Sequence, residues 1–183
     1  MLVKVLLGVV ALVVVLLIVV ATRSPEFHIE RSIVIAAPPE RSFATVNDFH
    51  NWSDWSPWEK MDPNLKKTFA GPASGVGSVY AWAGNDKVGE GRMTLEKAEP
   101  PSRVEIKLEF IKPWTATNKV TFTIAPAVGG SKVTWAMDGQ KAFGMKAVSL
   151  FMDMDKMVGA DFDKGLASLK SIVEGAPKPN PAP

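Results

Sequence analysis

The chain has 183 residues, of which 46% are hydrophobic and 22% charged, and it contains no cysteine. This length fits one domain with additional segments, and the lack of cysteine excludes a thiol nucleophile, a disulfide framework and a thiolate metal site. The formal net charge is +2 and no strongly basic block occurs, which argues against nucleic acid as the main partner.

The N-terminal segment is the most apolar part of the chain. Residues 5–21 contain no charged or polar side chain, and a helix counted from Leu2 would be about 30 Å long, which matches the hydrocarbon core of a bilayer. A cleaved signal peptide is the competing interpretation, but its apolar core is usually only about 7–15 residues and is followed by a polar region. We predict a transmembrane anchor over 1–22, in contact with the membrane through residues 2–21, and a short linker over 23–26.

The charges beside the anchor indicate its orientation in the membrane only weakly. Lys4 precedes the apolar segment, and Arg23 and Arg31 follow it, so the positive charges on its two sides nearly balance. An anchor so near the N-terminus, with the whole domain behind it, favours export. We predict a single-pass membrane protein whose domain faces the periplasm or the cell exterior and lies close to the membrane surface.

The soluble part, 27–174, begins with a strand and a helix. Residues 27–36 are rich in β-branched side chains and predict the strand. Pro39 begins the helix, which has Phe43 and Val46 on its apolar side. An aromatic segment with tryptophan at every third position follows, and this spacing is typical of a short helix or turn.

Strand patterns dominate the middle of the chain. Apolar and polar residues alternate strictly over 103–110, which predicts a strand with one buried and one solvated face. Similar patterns bounded by glycine and proline turns occur at 65–70, 78–83, 88–98, 117–124 and 132–138. The short connections predict a mostly antiparallel sheet of six to seven strands.

The period changes to 3.6 residues over 148–174, which predicts a long amphipathic helix that Gly175 ends. The proline-rich tail, 175–183, is predicted to be disordered. The apolar stripe of this helix and the apolar face of the sheet must cover each other. The predicted fold is therefore of the α+β class, with a curved sheet around a long C-terminal helix.

The residues at the start of the domain resemble those of the START-like, or SRPBCC, superfamily, which includes the polyketide cyclase/dehydrase and lipid-transport group. The resemblance rests on the strand followed by 36–40 (AAPPE), on Phe43, Val46 and Trp52, and on the turn 55–58 (WSPW). It covers about 27–174 and implies a helix-grip fold with an internal cavity between the sheet and the terminal helix. Members bind lipids or other apolar molecules, and some catalyse cyclisation or dehydration.

The candidate ligand-binding residues are those whose pattern places them in the helix–sheet interior. They are mostly apolar or aromatic, as in many small-molecule pockets, with Asn118 as a polar group in phase with the inward-facing set. The predicted set is Met93, Ile106, Leu108, Phe110, Asn118, Val120, Phe122, Trp135, Met137, Phe151, Met154, Val158 and Phe162. Trp55, Trp58 and Trp114 are predicted at the cavity mouth, with internal packing as the alternative.

Searches for catalytic motifs leave the catalytic residues unknown. The chain has no Walker A sequence and no G-x-S-x-G elbow. Two histidines, His28 and His50, make a metal site improbable, and no cofactor is predicted. No nucleic-acid partner is expected and protein partners are unknown.

Three functions remain open from the sequence. The first is membrane-tethered binding of a lipid or other apolar small molecule in the cavity. The second is a cyclase or dehydratase type of enzyme, whose sign would be a cavity group with a strongly shifted pKa. The third is a non-catalytic interaction domain with a filled core.

Overall fold

A computed structural model describes residues 2–175 of the chain. Helix α1 (Leu2–Thr22) is long and apolar enough to span a membrane, and a signal sequence meets the same criteria of length and composition. Residues 23–25 connect it to the first strand. The predicted disordered tail lies outside the described residues beyond Gly175.

Seven strands form one curved, fully antiparallel sheet in the order β1-β7-β6-β5-β4-β3-β2. The predicted α+β helix-grip class is confirmed. The strands are β1 (Glu26–Ile35), β2 (Lys66–Ala70), β3 (Val79–Ala83), β4 (Glu90–Glu99), β5 (Arg103–Lys112), β6 (Ala116–Ala127) and β7 (Gly130–Gln140). The first strand therefore pairs with the last one.

The strand registers bring several turns and strand ends together at one end of the sheet. Glu26 pairs with Gln140, so β1 begins where β7 ends. At this same end lie the turn between β5 and β6, because Phe110 pairs with Ala116, and the turn between β3 and β4, because Ala83 pairs with Glu90. We call it the α1 end, since α1 leads into β1 there.

Four helices lie between and after the strands. They are α2 (Pro39–Val46), α3 (Trp52–Trp55), α4 (Phe143–Val148) and α5 (Met154–Gly175). The 3-10 turns Phe49–Asn51 and Pro57–Lys60 flank α3. The prediction of one continuous helix from 148 was wrong, because Asp153 begins α5: its side chain accepts a hydrogen bond from the Lys156 backbone N–H at 3.2 Å, as an N-cap residue does.

Helix α5 runs beside β1 and is held at three points along it. Arg31 forms an ion pair with Asp155 at 2.9 Å and another with Asp163 at 3.5 Å. The other two points are backbone groups further along the strand. Lys170 donates to the Val34 carbonyl at 2.8 Å, and Glu174 accepts from the Ala36 N–H at 2.6 Å.

A tightly buried part of the core lies in the half of the domain away from the α1 end. The apolar side of α5 packs there on the inner face of the sheet. The buried residues in this part of the core include Leu166, Leu169 and Val173 of α5, together with Ile35, Val46, Leu95, Val104, Ile124 and Val133.

The turn between β6 and β7 offers a test of the pairing between β1 and β7. Gly129 and Gly130 both have positive φ, 82° and 151°, so alanine at either position is strained by about 1–2 kcal/mol. A Cβ at Gly130 would also lie 2.0 Å from the Ile35 carbonyl oxygen, whereas one at Gly129 would meet no atom within 4 Å. We expect Gly130→Ala to lower the free energy of unfolding by at least about 3 kcal/mol and Gly129→Ala by about 1 kcal/mol. Denaturant unfolding followed by tryptophan fluorescence measures both, and equal losses would contradict the expectation.

Candidate functional site

A cavity of about 220 Å³ lies between the sheet, the first half of α5 and the segment that contains α3. Its walls are mostly apolar and aromatic, as expected where alternating strand residues face a helix stripe. The lining residues are Trp52, Ser56, Trp58, Glu59, Leu65, Tyr80, Trp82, Lys87, Val88, Met93, Leu108, Phe110, Val120, Trp135, Met137, Val158 and Phe162.

The cavity extends to the α1 end of the sheet. Lys87 and Val88, which line it, belong to the turn between β3 and β4, and Leu65 precedes the start of β2. Phe110 lies near the end of β5, beside the turn that leads to β6. All four residues are partly or fully exposed, so the rim of the cavity is at this end.

Stacked aromatic rings form the wall between the sheet and α5. The rings of Trp135 and Phe162 are parallel within 8°, with centroids 4.2 Å apart. Trp58 contacts both rings edge to face, at 5.7 Å and 6.2 Å. Such pairs contribute about 0.5–1.5 kcal/mol beyond the area they bury, so they stabilise this wall.

The indole N–H of Trp135 is unsatisfied in this wall. Its Nε1 is buried and has no hydrogen-bond partner among the described residues. A buried donor without a partner costs roughly 1–3 kcal/mol.

One acidic group, Glu59, belongs to the cavity wall. The exposed fraction of its side chain is 6%. The Tyr80 hydroxyl donates a hydrogen bond to Oε1, and Lys67 Nζ forms an ion pair with Oε2. Burial is the main cause that raises the pKa of Tyr80, and the hydrogen bond to Glu59 and its negative charge add to it. The pair therefore places a neutral phenol donor next to a carboxylate.

Most of the predicted binding residues do line the cavity. These are Met93, Leu108, Phe110, Val120, Trp135, Met137, Val158 and Phe162, together with Trp58, which was predicted at the mouth. The others lie elsewhere. Ile106 and Phe122 are fully buried in the core outside the lining, and Met154 is the first residue of α5.

Asn118 is buried, but it lies outside the lining of this cavity. Its Nδ2 is 3.7 Å from Met137 Sδ, and its Oδ1 has no hydrogen-bond partner among the described residues. Asn118 borders a shallow groove at the α1 end instead. The alternation pattern correctly placed it on the inner face, but it could not show how far along the sheet the cavity extends.

Three further aromatic residues of the predicted set lie outside the lining of the cavity. Phe151 is 85% exposed, because it lies in the turn before α5 and not within the helix. Trp55 is fully buried, with its ring against Phe122 and Trp135, and so lies in the core and not at the mouth. Trp114 is 63% exposed in the turn between β5 and β6.

The sequence reading missed the polar part of the site. Tyr80 and Trp82 were not selected, although their spacing of two on a strand puts both on one face. Glu59 gave no signal, because a lone carboxylate after a tryptophan-rich turn is usually solvated. The histidines lie outside the lining: His28 pairs with Asp138 and His50 with Asp48. Among residues 2–175, no group of three or more potential ligands could hold a metal ion.

Comparisons with known proteins place this geometry in context. A family described as polyketide cyclase / dehydrase and lipid transport matches residues 26–174. No match was found among curated proteins.

Solved structures with a similar fold share little sequence with the chain. Protein CV1439 from Chromobacterium violaceum is 16% identical with a TM-score of 0.60, and the match covers 81% of this chain and 98% of that one. The di-domain ARO/CYC BexL from the BE-7585A biosynthetic pathway is 13% identical with a TM-score of 0.63, and the match covers 86% and 53%. The di-domain ARO/CYC StfQ from the steffimycin biosynthetic pathway is 11% identical with a TM-score of 0.61, covering 81% and 51%. At such identities the likeness shows the fold alone.

The titration of Tyr80 tests the polar site directly, because the chain has a single tyrosine. The raised pKa means that no tyrosinate absorbance should appear at about pH 11, where a free tyrosine with a pKa of about 10 is mostly ionised. In Glu59→Gln the pKa should fall but stay above the ordinary value, because burial remains.

Near-ultraviolet circular dichroism must show that the fold persists during this titration. A raised folded-state pKa stabilises the fold below the unfolded value, and this contribution is lost as pH rises above it. Ionisation of Tyr80 near its ordinary pKa in folded protein would contradict the described site.

Proposed function

The chain belongs to the polyketide cyclase/dehydrase and lipid transport family, and we propose that it binds a small or single-chain apolar molecule in the cavity while α1 holds it at a membrane. The observation that carries this proposal is the cavity itself, whose walls are mostly apolar and include a few polar side chains. Its volume of about 220 Å³ is below the roughly 300–1,000 Å³ of pockets for drug-sized ligands. This size favours a single acyl chain or a compact ring system over a two-chain lipid.

The energetics of binding follow from the apolar part of the cavity wall and from its polar groups. Each 100 Å² of apolar ligand surface removed from water contributes about 2.5 kcal/mol before the costs of association. The Tyr80 hydroxyl donates its hydrogen to Glu59, so its oxygen can accept a hydrogen bond, and this favours a ligand with a hydroxyl group at one end. The apolar wall would then determine the affinity, and the polar groups would determine the orientation of the ligand.

The membrane part of the proposal rests on α1. Its most apolar 18 residues have a mean hydropathy of 3.3, and we treat it as an uncleaved single-pass anchor with the domain in the periplasm or outside the cell. The connecting residues 23–25 are at most about 11 Å long. The domain would therefore remain within about 11 Å of the end of α1.

A substitution that fills the cavity tests binding. Val120 is 3% exposed and lines the cavity, while Val128 is fully exposed in the turn between β6 and β7. We expect Val120→Trp to weaken binding of parinaric acid, a fluorescent single-chain acid, by at least about tenfold, equivalent to about 1.4 kcal/mol. Val128→Trp, an identical change outside the cavity, should leave the affinity unchanged.

Fluorescence titration of residues 24–183, after circular dichroism has shown that each variant is folded, gives the dissociation constants. Organic extraction and mass spectrometry of the same preparation identify any molecule that co-purifies. Equal affinities of the two tryptophan variants, or no binding by the unmodified domain, would contradict the binding proposal and favour the filled-core interaction domain.

An enzyme of the cyclase or dehydratase type is the second candidate, and the Glu59–Tyr80 pair favours it. Glu59 Oε1 could accept a proton from a carbon next to a carbonyl group. The neutral Tyr80 hydroxyl, which donates its one hydrogen to Oε1 in the described structure, would then turn from Oε1 and donate it to the enolate oxygen that forms. A residue pair of this kind inside an apolar cavity has the acid–base chemistry that cyclisation needs.

Hydrogen–deuterium exchange in a bound substrate analogue tests this second function. We expect the domain to accelerate exchange at the carbon between the carbonyls of a long-chain β-diketone, as measured by NMR. Glu59→Gln should lower the accelerated rate by about 10²–10⁴-fold without weakening diketone binding. If the exchange rate with the unmodified domain equals the rate in buffer, the result contradicts the catalytic function and leaves the binding proposal standing.

A further inference from the structure

We propose that the α1 end of the sheet rests on the bilayer, with two apolar projections inserted beside the cavity mouth, so that an amphiphile passes from the membrane into the cavity without crossing water. This inference rests on the proposed function in two respects, since it takes α1 as an anchor and the cavity as the binding site of an amphiphile. It adds a membrane-binding surface on the domain and a source for the ligand.

The first projection is formed by α4 and the turn that leads to α5. It carries Phe143, Val148, Phe151 and Met152, which are 53%, 44%, 85% and 46% exposed. Four large apolar side chains exposed within ten residues are unusual on a surface that faces only water.

The second projection is the turn between β5 and β6. Ile111 is 47% exposed and Trp114 is 63% exposed. Phe110 in the same hairpin lines the cavity. Tryptophan is favoured at the interface between lipid and water because its ring is apolar and its N–H is polar.

Direct contacts place the first projection where α1 ends. Lys146 Nζ of α4 donates to the Ala21 carbonyl at 3.0 Å, and Val20 is 1% exposed next to this contact. The Lys141 N–H donates to the Pro25 carbonyl at 2.7 Å. Helix α4 is therefore fixed at the level at which α1 would leave the bilayer.

The cavity mouth lies at the same level. The turns and strand ends that form its rim, with Leu65, Lys87, Val88 and Phe110, are at the α1 end of the sheet. Only the first half of α5 reaches the cavity, where it contributes Val158 and Phe162. Both projections and the rim thus lie at one end of the domain, continuous with α1, and this continuity identifies the bilayer as the occupant of the apolar surface.

Depth-dependent fluorescence quenching tests this arrangement in the full chain. Because the chain has no cysteine, Phe151→Cys introduces a single thiol for an environment-sensitive fluorophore. In vesicles of phosphatidylcholine and phosphatidylglycerol, we expect blue-shifted emission that is lost when the lipids carry a nitroxide near the headgroup. Trp114→Cys, labelled in the same way, should lose its emission as well.

Two control positions separate this inference from the anchor. Val128→Cys labels a fully exposed turn at the opposite end of β7 and should show neither the shift nor the loss. Leu12→Cys labels the middle of α1 and should be quenched by a nitroxide deep in the acyl chains.

The outcomes are distinct. Quenching at Leu12 but not at Phe151 or Trp114 would overturn the membrane surface and leave the anchor intact. Absence of quenching at Leu12 would overturn the anchor and this inference with it. A blue shift at Phe151 that nitroxide lipids do not quench would place the residue against protein, such as a second copy of the chain, and would also overturn the inference.

Discussion

A single helix must cover a sheet much wider than itself, and the rest of the structure depends on this mismatch. Seven strands at about 4.8 Å spacing extend about 29 Å from the first axis to the last, whereas a helix with its side chains is about 10 Å wide. Helix α5 lies along β1, held by Arg31 and Lys170, so it leaves the strands on the far side uncovered. The aromatic segment around α3 covers part of that remainder. The space left over near β3 to β5 is the cavity.

Much of the fold could be predicted from the sequence because its patterns are local. Strict alternation over 103–110 requires one buried face, and the 3.6-residue period of the last segment requires a helix on it. The break before α5 was not predictable in the same way. The apolar period continues through Leu150, without glycine or proline, and the helix begins at Met154 because the Asp153 side chain satisfies a backbone N–H there.

The candidate site was predictable only in its apolar part. Leu108, Val120 and Met137 follow from alternation, which determines the face a residue occupies. Alternation does not determine the distance along the strand, so it could not separate the filled half of the core, with Ile106, from the open half. The Glu59–Tyr80 contact joins residues 21 apart in the chain, and no periodic signal records such a pairing.

The pairing of the first strand with the last has a consequence for synthesis. Strand β1 forms its ladder with β7 and with no other strand of the sheet. At about 5–20 residues per second on the ribosome, the roughly 100 residues between the two strands take several seconds to emerge. During that time β1 has no partner strand, and unpaired strand edges aggregate readily. Chaperone capture of the growing chain is therefore most needed between the emergence of β1 and that of β7.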